Sequence, residues 1–92
     1  MTAIVLIDAA TDSIGEVASA LADLPGVSEV YSVAGGGTDL IALVRVREFD
    51  EIADVIAGRI NKVPGVLDTA THIAFRSYSR HDLESAFSLG LD

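Results

Sequence analysis

A short sequence motif occurs twice in this chain: an amphipathic segment ends in a Pro-Gly-Val step, and a strand-like stretch follows. The two steps are Pro25-Gly26-Val27 and Pro64-Gly65-Val66. Proline cannot extend the helix before it, and the glycine after it can adopt the positive φ that turns the chain into the next strand. The repetition therefore predicts a duplicated unit whose two helices end by the same mechanism.

Two helices are predicted from apolar residues at helical spacing. The first covers residues 13–24, with Ser13 and Glu16 as its capping box. The second has acidic residues near its start and Arg59 and Lys62 near its end, which is the charge order that a helix dipole favours. Its apolar positions are Phe49, Ile52, Val55, Ile56, Ile60 and Val63.

Four strand-like stretches complete the pattern. The runs at residues 3–7 and 40–44 are continuous, apolar and rich in β-branched residues, which is typical of strands buried on both faces. Further candidates cover residues 27–34 and 66–78. The order βαββαβ predicts an α+β, ferredoxin-like fold, in which a four-stranded antiparallel sheet carries two helices on one face.

The sheet face opposite the helices decides the predicted oligomeric state. The first and third strands are apolar on both sides, so a monomer would leave several hundred Å² of hydrocarbon in water, more than soluble monomers usually tolerate. Pairing two sheets face to face removes that area from water. We therefore predict an obligate homodimer that pairs through its sheet faces, a dimeric α+β barrel.

Composition limits the class of partner. The 92 residues carry a formal net charge of -8 with only six Lys and Arg, so direct binding to nucleic acid, which depends on neutralising several phosphates, is not expected. No apolar run approaches the roughly 18 residues of a membrane helix. Cysteine is absent, which excludes thiolate chemistry and fits a reducing compartment. Because residues 3–7 do not form a signal-peptide core, we expect a cytoplasmic protein.

The turn between the second and third strands is the backbone most open to a ligand. It contains Gly35, Gly36 and Gly37, followed by Thr38 and Asp39. It lacks the following helix and the lysine of a phosphate-binding loop, and its ordinary interpretation is a flexible hairpin turn. A hydroxyl and a carboxylate beside three uncovered backbone amides nevertheless match both charged ends of a free amino acid.

The fourth strand supplies further candidates. Thr69 and Thr71 alternate onto one side and are candidate hydrogen-bond donors to a pocket, although β-branched residues are common in any strand. His72 lies on the other side. The two histidines, His72 and His81, have no companions at metal-ligand spacing, so no metal is expected. Neither a nucleophile elbow nor a pair of carboxylates flanking a cleft is evident, so no catalytic residues are predicted.

Together, the Pro-Gly-Val steps, the Gly-x-x-Asp hairpin at residues 36–39 and the Thr-x-Thr pattern resemble the effector-binding (RAM) domain of the leucine-responsive/asparagine regulator (Lrp/AsnC) family. The resemblance covers residues 1–79. It implies dimers, rings of dimers such as octamers, and an amino-acid effector between neighbouring dimers, with no cofactor. The hairpin residues Gly35, Gly36, Gly37 and Asp39 and the strand residues Thr69 and Thr71 match the family's effector site by position.

In that family the domain follows a helix-turn-helix reader of DNA, whereas this chain begins directly at its first strand. It therefore resembles the stand-alone members, and a full-length regulator of the family is a candidate partner. Residues 80–92 are predicted to form an arm or short helix at a subunit contact. Its apolar anchors would be Leu83, Phe87, Leu89 and Leu91.

Three alternatives stay open at this point. A small dimeric α+β barrel enzyme, such as a cofactor-free oxygenase or isomerase, shares the topology and would use His72. An ACT-like amino-acid-binding domain is also βαββαβ and would place its ligand loop at residues 8–15. A purely structural oligomeriser would bind no ligand at all.

Overall fold

The computed structural model describes residues 1–80. The predicted anchors of the C-terminal arm, Leu83, Phe87, Leu89 and Leu91, lie outside the described residues, as does His81. The boundary between an effector-binding unit of residues 1–79 and an arm of residues 80–92 therefore stays a prediction.

The described chain forms one four-stranded antiparallel sheet and two helices in the predicted βαββαβ order, which confirms the predicted fold class. The spatial order of the strands is β2-β3-β1-β4, so the first and third strands are central and the other two are edges. The elements are β1 (Thr2–Ala9), α1 (Ile14–Ala22), β2 (Val27–Ser32), β3 (Leu40–Arg45), α2 (Phe49–Gly58), a 3-10 turn (Ile60–Lys62) and β4 (Val66–Ala74).

The core lies between the sheet and the two helices. Alternate residues of β1 and β3 are fully buried, because period-two side chains from both central strands point to the helix layer. The helices contribute residues at helical spacing to the same core. Its members are Ala3, Val5, Ile7, Ala9, Val17, Leu21, Leu40, Ala42, Val44, Ile52, Val55, Ile60 and Val63.

The helix starts differ from the prediction. Ser13 is the N-cap residue of α1, but the capping box with Glu16 is wrong, because no side-chain hydrogen bond caps this helix. Ser13 has φ -137° and ψ 24°, outside the extended backbone that capping needs, and its hydroxyl donates to the Ala10 carbonyl. The capping box instead starts α2, where Glu48 and Glu51 each accept from the other's backbone N–H.

Both Pro-Gly-Val turns adopt the predicted conformation. Gly26 has φ 93° and Gly65 has φ 96°. Each turn also packs directly on a helix, since a Cβ atom at Gly26 would lie 2.6 Å from Cγ2 of Val55, and one at Gly65 would lie 2.6 Å from Cγ2 of Val17. Glycine is therefore required at both positions for its backbone and for its lack of a side chain.

The fourth strand is shorter than predicted. It ends at Ala74, not at residue 78. Ala74 is paired with Thr2, the first residue of β1. The residue before Thr2 is Met1, whose amino group donates to the Val46 carbonyl and whose carbonyl accepts from the Val46 N–H, so neither group is left to pair with β4. Phe75, the next residue, is 98% exposed.

The sheet surface opposite the helices, called here the open face, is apolar at its centre. Residues paired in register share a face, and this places the helix-distal side chains of all four strands together. The central ones are half-buried by one another, and Tyr31 is 47% exposed. The apolar members are Ile4, Leu6, Tyr31, Ile41, Leu43, Ala70 and Ala74, and the polar ones are Thr2, Asp8, Glu29, Arg45, Asp68 and His72.

Within residues 1–80, neither helix combines the length and the hydropathy that crossing a bilayer requires.

Candidate functional site

The glycine-rich hairpin joins β2 to β3 at one end of the sheet. Gly35, Gly36 and Gly37 all have positive φ, at 97°, 71° and 75°, which explains why three successive glycines occur here. The Val33 N–H donates to the Asp39 carbonyl and closes the hairpin. The amide groups of the three glycines donate no hydrogen bond to another described residue, so they are free to bind a ligand.

The Asp39 carboxylate is used within the fold. Its Oδ2 atom accepts a hydrogen bond from the Ala9 N–H at 3.0 Å, and the Asp39 N–H donates to the Ile7 carbonyl at 3.1 Å. The side chain thus extends the β1–β3 ladder by one hydrogen bond beyond the start of β3 at Leu40. Asp39 positions the hairpin against β1.

This role gives a stability prediction. We expect Asp39→Ala to lower the free energy of unfolding by about 1–3 kcal/mol, because it leaves the N–H of the buried Ala9 without an acceptor. Asp39→Asn keeps an acceptor oxygen and is expected to lose markedly less. Urea unfolding of the three proteins at one protein concentration tests this. Equal midpoints for Asp39→Ala and the unchanged protein would show that the hydrogen bond does not stabilise the fold.

A cavity of about 100 Å³ connects the hairpin to the ends of β1 and β4. Of the predicted site residues, Gly37, Thr38 and Thr69 line it, whereas Gly35, Gly36, Asp39 and Thr71 do not. The lining is Leu6, Asp8, Gly37, Thr38, Asp68, Thr69 and Ala70.

Two carboxylates in this lining were not predicted as part of the hairpin site, although Asp8 begins the loop that the ACT-like alternative would use. Asp8 and Asp68 are directly opposite each other in the β1–β4 pairing, which places their Cβ atoms roughly 5 Å apart. Like charges at that position destabilise a sheet, so a cationic group bound between them would relieve the repulsion. The sequence shows that each Asp lies near one end of a strand, but only the register of β1 against β4 places the two side by side.

The two threonines have different surroundings. The Thr69 hydroxyl donates to Oδ1 of Asn61 at 3.3 Å, and the Thr69 N–H donates to Oδ1 of Asp68 at 3.0 Å. Thr71 is exposed and is paired with Val5 on the helix side of the sheet. Neither hydroxyl points to the open face, where Asp8 and Asp68 lie.

The position of His72 does not fit the enzyme alternative. That alternative needs an inward-facing residue in a cavity between helices and sheet, but His72 is exposed and lies opposite Ile4 on the open face. Among residues 1–80 no group of three or more His, Cys, Asp or Glu side chains is arranged to hold a metal ion.

Comparison with protein families gives one match that spans most of the chain. A family model, the Lrp/AsnC ligand binding domain, matches residues 2–83. Among solved structures, TTHA0845 from Thermus thermophilus is 44% identical with a TM-score of 0.78, and the match covers 86% of this chain and 98% of that one.

Two further proteins are informative. An uncharacterized HTH-type transcriptional regulator of Pyrococcus horikoshii, PH1916, is 38% identical over 60 residues, and this match covers 65% of the present chain but only 39% of the regulator. The transcriptional regulator NMB0573 of Neisseria meningitidis, solved as a complex with L-Met, shares the fold at a TM-score of 0.74 and 15% identity, with 86% of this chain and 52% of that one covered. Regulators of this kind are not enzymes, in agreement with the prediction of a non-catalytic protein.

Proposed function

The chain belongs to the Lrp/AsnC family through its ligand-binding domain, and on that premise we propose that it is a non-catalytic module that binds a free amino acid. Binding would regulate transcription or metabolism through ligand-linked assembly of subunits. The observation that carries the proposal is the cavity at the hairpin. There the carboxylates of Asp8 and Asp68, neither of which forms an ion pair with another described residue, lie near glycine amides that donate no hydrogen bond within residues 1–80.

The two ends of an amino acid have matching groups at this cavity. Its ammonium group would bind between Asp8 and Asp68, where a positive charge offsets the repulsion of the carboxylates. Its carboxylate would accept hydrogen bonds from the amide of Gly37, which lines the cavity, and from that of the adjacent Gly36, since carboxylates bind well to clustered backbone N–H groups. The remaining predicted residues, Gly35, Thr38, Asp39, Thr69 and Thr71, would shape or position the site.

The size of the cavity supports a site that is shared between subunits. Its volume of about 100 Å³ is roughly that of three water molecules in the liquid and is well below the ~300–1,000 Å³ of typical ligand pockets. A second subunit would therefore have to supply the missing wall. The complex of NMB0573 with L-Met supports an amino acid as the ligand class.

The open face supports the first step of assembly. It presents an apolar centre with a polar rim, the composition of a subunit interface, so we propose a homodimer through this face. Dimers would assemble into a ring such as an octamer, and a full-length regulator of the family is a candidate partner. The absence of cysteine is consistent with the proposed cytoplasmic location.

A thermal-shift panel of free amino acids, run beside light scattering, tests the proposal. A ligand at about 100 times its Kd stabilises the folded state by about 2.7 kcal/mol, which raises Tm by roughly 10–20 °C in a domain of this size. We expect one amino acid or a small group to raise Tm and to change the assembled mass. A panel without any shift would refute amino-acid binding and favour the structural oligomeriser.

A matched pair of variants locates the site. Asp68→Asn removes one carboxylate from the cavity, and we expect it to weaken amino-acid binding about tenfold or more, since hydrogen bonds to charged groups are the stronger ones. Asp12→Asn makes the same change at residues 8–15, where an ACT-like domain would bind its ligand, and is expected to bind normally. The reverse result, with loss only in Asp12→Asn, would establish the ACT-like alternative.

A further inference from the structure

A second and larger cleft lies at the opposite end of the sheet from the hairpin. It is formed by the turn at Gly26, the last residue of β3 with the two that follow, and one side of α2, and its volume is about 490 Å³. This is within the ~300–1,000 Å³ typical of small-molecule pockets. It shares no lining residue with the hairpin cavity, so it is independent of the function proposed above.

The cleft concentrates positive charge in an acidic protein. Arg45, Arg47 and Arg59 line it, and they are three of the six basic residues in a chain of net charge -8. None of them forms an ion pair with a carboxylate in the described part of the chain. Glu51, also in the lining, accepts from the backbone N–H groups of Arg47 and Glu48 at 3.1 and 3.4 Å, so its carboxylate is committed to the start of α2.

One of the three guanidinium groups is held in place. Nη1 of Arg59 donates to the Pro25 carbonyl at 2.6 Å, and Arg59 is half-buried. Its remaining N–H groups form no hydrogen bond with another described residue. A guanidinium fixed in this way loses less side-chain entropy when it binds a ligand, and its planar set of donors matches carboxylate and phosphate oxygens.

The turn at Gly26 contributes the shape of the cleft. Because Gly26 lacks a side chain, the turn approaches Val55 closely, and this contact brings the Pro25 carbonyl to Arg59. Val46 and Val55 provide an apolar wall beneath the arginines. Polar donors above an apolar wall are the usual arrangement of a site for a small organic anion.

We infer that this cleft binds a small molecule that carries an oxyanion, either a carboxylate or a phosphate group. The overall charge of the chain opposes any anion at long range, but at physiological salt its effect is screened beyond about 8 Å. The three arginines act at contact distance and outnumber the two carboxylates of the lining, Glu51 and Asp54. Asp54, on the same cleft, would disfavour an anion that lacks a cationic or hydroxyl group on that side.

The test is a titration of the isotopically labelled protein by NMR with two probes, inorganic phosphate and succinate, against sodium chloride at equal ionic strength. We expect one or both probes to shift the amide signals of Gly26, Val46 and Val55 saturably, and chloride not to do so. Binding by phosphate alone or succinate alone identifies the oxyanion class and supports the inference. Shifts that are no larger than those caused by chloride would overturn it.

Variants distinguish binding at this cleft from a general effect of the net charge of the protein. Arg47 is exposed and its side chain forms no hydrogen bond or ion pair with another described residue, so Arg47→Gln should fold and weaken probe binding about tenfold. Arg59→Gln should do the same but loses the bond to Pro25. Arg76→Gln changes the same charge outside the cleft and should bind normally. Equal binding of the probes by all three variants would refute the site. It would also be refuted if the probes did not bind and Arg47→Gln changed the mass of the assembly, because an acidic segment of another subunit would then be the occupant of the cleft.

Discussion

Leu43→Lys is expected to abolish assembly while leaving the subunit folded. Leu43 lies on the open face opposite Glu29 of β2, so the lysine gains an opposite charge across the strands, worth about 0.2–1 kcal/mol. In a dimer the same lysine would be buried in an apolar interface. Burying the lysine with Glu29 removes both charges from water, a desolvation cost of several kcal/mol per ion that one ion pair does not reliably offset, and a symmetric interface contains the substitution twice.

We therefore expect the dimer dissociation constant to rise by more than about a hundredfold, and the amino-acid response to fall with it, since the proposed site is completed by assembly. Analytical ultracentrifugation over a dilution series measures the first effect, and thermal shift the second. Far-ultraviolet circular dichroism checks that the fold is retained.

Phe49→Lys is the matched control, because Phe49 is 59% exposed but begins α2 on the helix layer. It should assemble normally, with at most a small loss of stability from a cation at a helix start. If Leu43→Lys sediments as the unchanged protein does, the open face is not the interface. If it becomes monomeric but keeps its full amino-acid response, the interface is correct and the shared site is wrong.

Gly65→Ala and Gly26→Ala are expected to be the most destabilising small substitutions in the fold. Both glycines have positive φ, which costs a residue with a side chain about 1–2 kcal/mol, and the added methyl would overlap buried Val17 or Val55, adding about 1–3 kcal/mol of overpacking. We expect a loss of about 2–5 kcal/mol, which is a fall in Tm of roughly 10–40 °C for a domain of this size.

The surroundings cannot relax cheaply around either change. Val17 and Val55 are each 1% exposed, and β-branched side chains in helices have essentially one rotamer. The turn backbones are tied as well: the Gly65 carbonyl accepts from the Ala10 N–H at 2.8 Å, and the Gly26 carbonyl accepts from the Arg45 N–H at 2.9 Å.

Gly15→Ala serves as the control for these two substitutions. Gly15 is in the first turn of α1, its φ is not positive and a Cβ there would meet nothing within 4 Å, so alanine should be neutral or stabilise by up to about 1 kcal/mol. Thermal and urea unfolding compare the three variants. Losses below about 1 kcal/mol at both turns would mean that the chain accommodates a methyl group there, and that the contact between turn and helix is looser than described.

The order of elements and the chain reversals were predictable from the sequence, because they depend on local chemistry. Continuous β-branched runs, helical apolar spacing and the two Pro-Gly-Val steps each act within a few residues. The predicted positive φ at Gly26 and Gly65 was correct for that reason. The family resemblance, drawn from the hairpin and the strand threonines, was confirmed as well.

Other local predictions failed where a competing hydrogen bond or a distant partner decided the outcome. Ser13 is of a residue type that often caps helices, but its hydroxyl donates to the Ala10 carbonyl instead. The capping box of Glu48 and Glu51 at the start of α2 was overlooked because glutamate is a less usual N-cap residue. The fourth strand stops at Ala74, where its pairing with β1 ends at Thr2, because the backbone groups of Met1 bond to Val46 instead. The length of a strand depends on its neighbour as much as on its own composition.

The sequence by itself determined which residues are apolar, where the helices and turns lie and, through the central strands, that one sheet face would be apolar and open. Tertiary structure alone decided that Asp8 lies opposite Asp68 beside the hairpin, that Asp39 serves the fold by binding Ala9, and that Arg45, Arg47 and Arg59 meet in one cleft. The physical reason is register. The period of a strand reveals which side chains share its face, but only packing against strands and helices far along the chain determines which charges become neighbours.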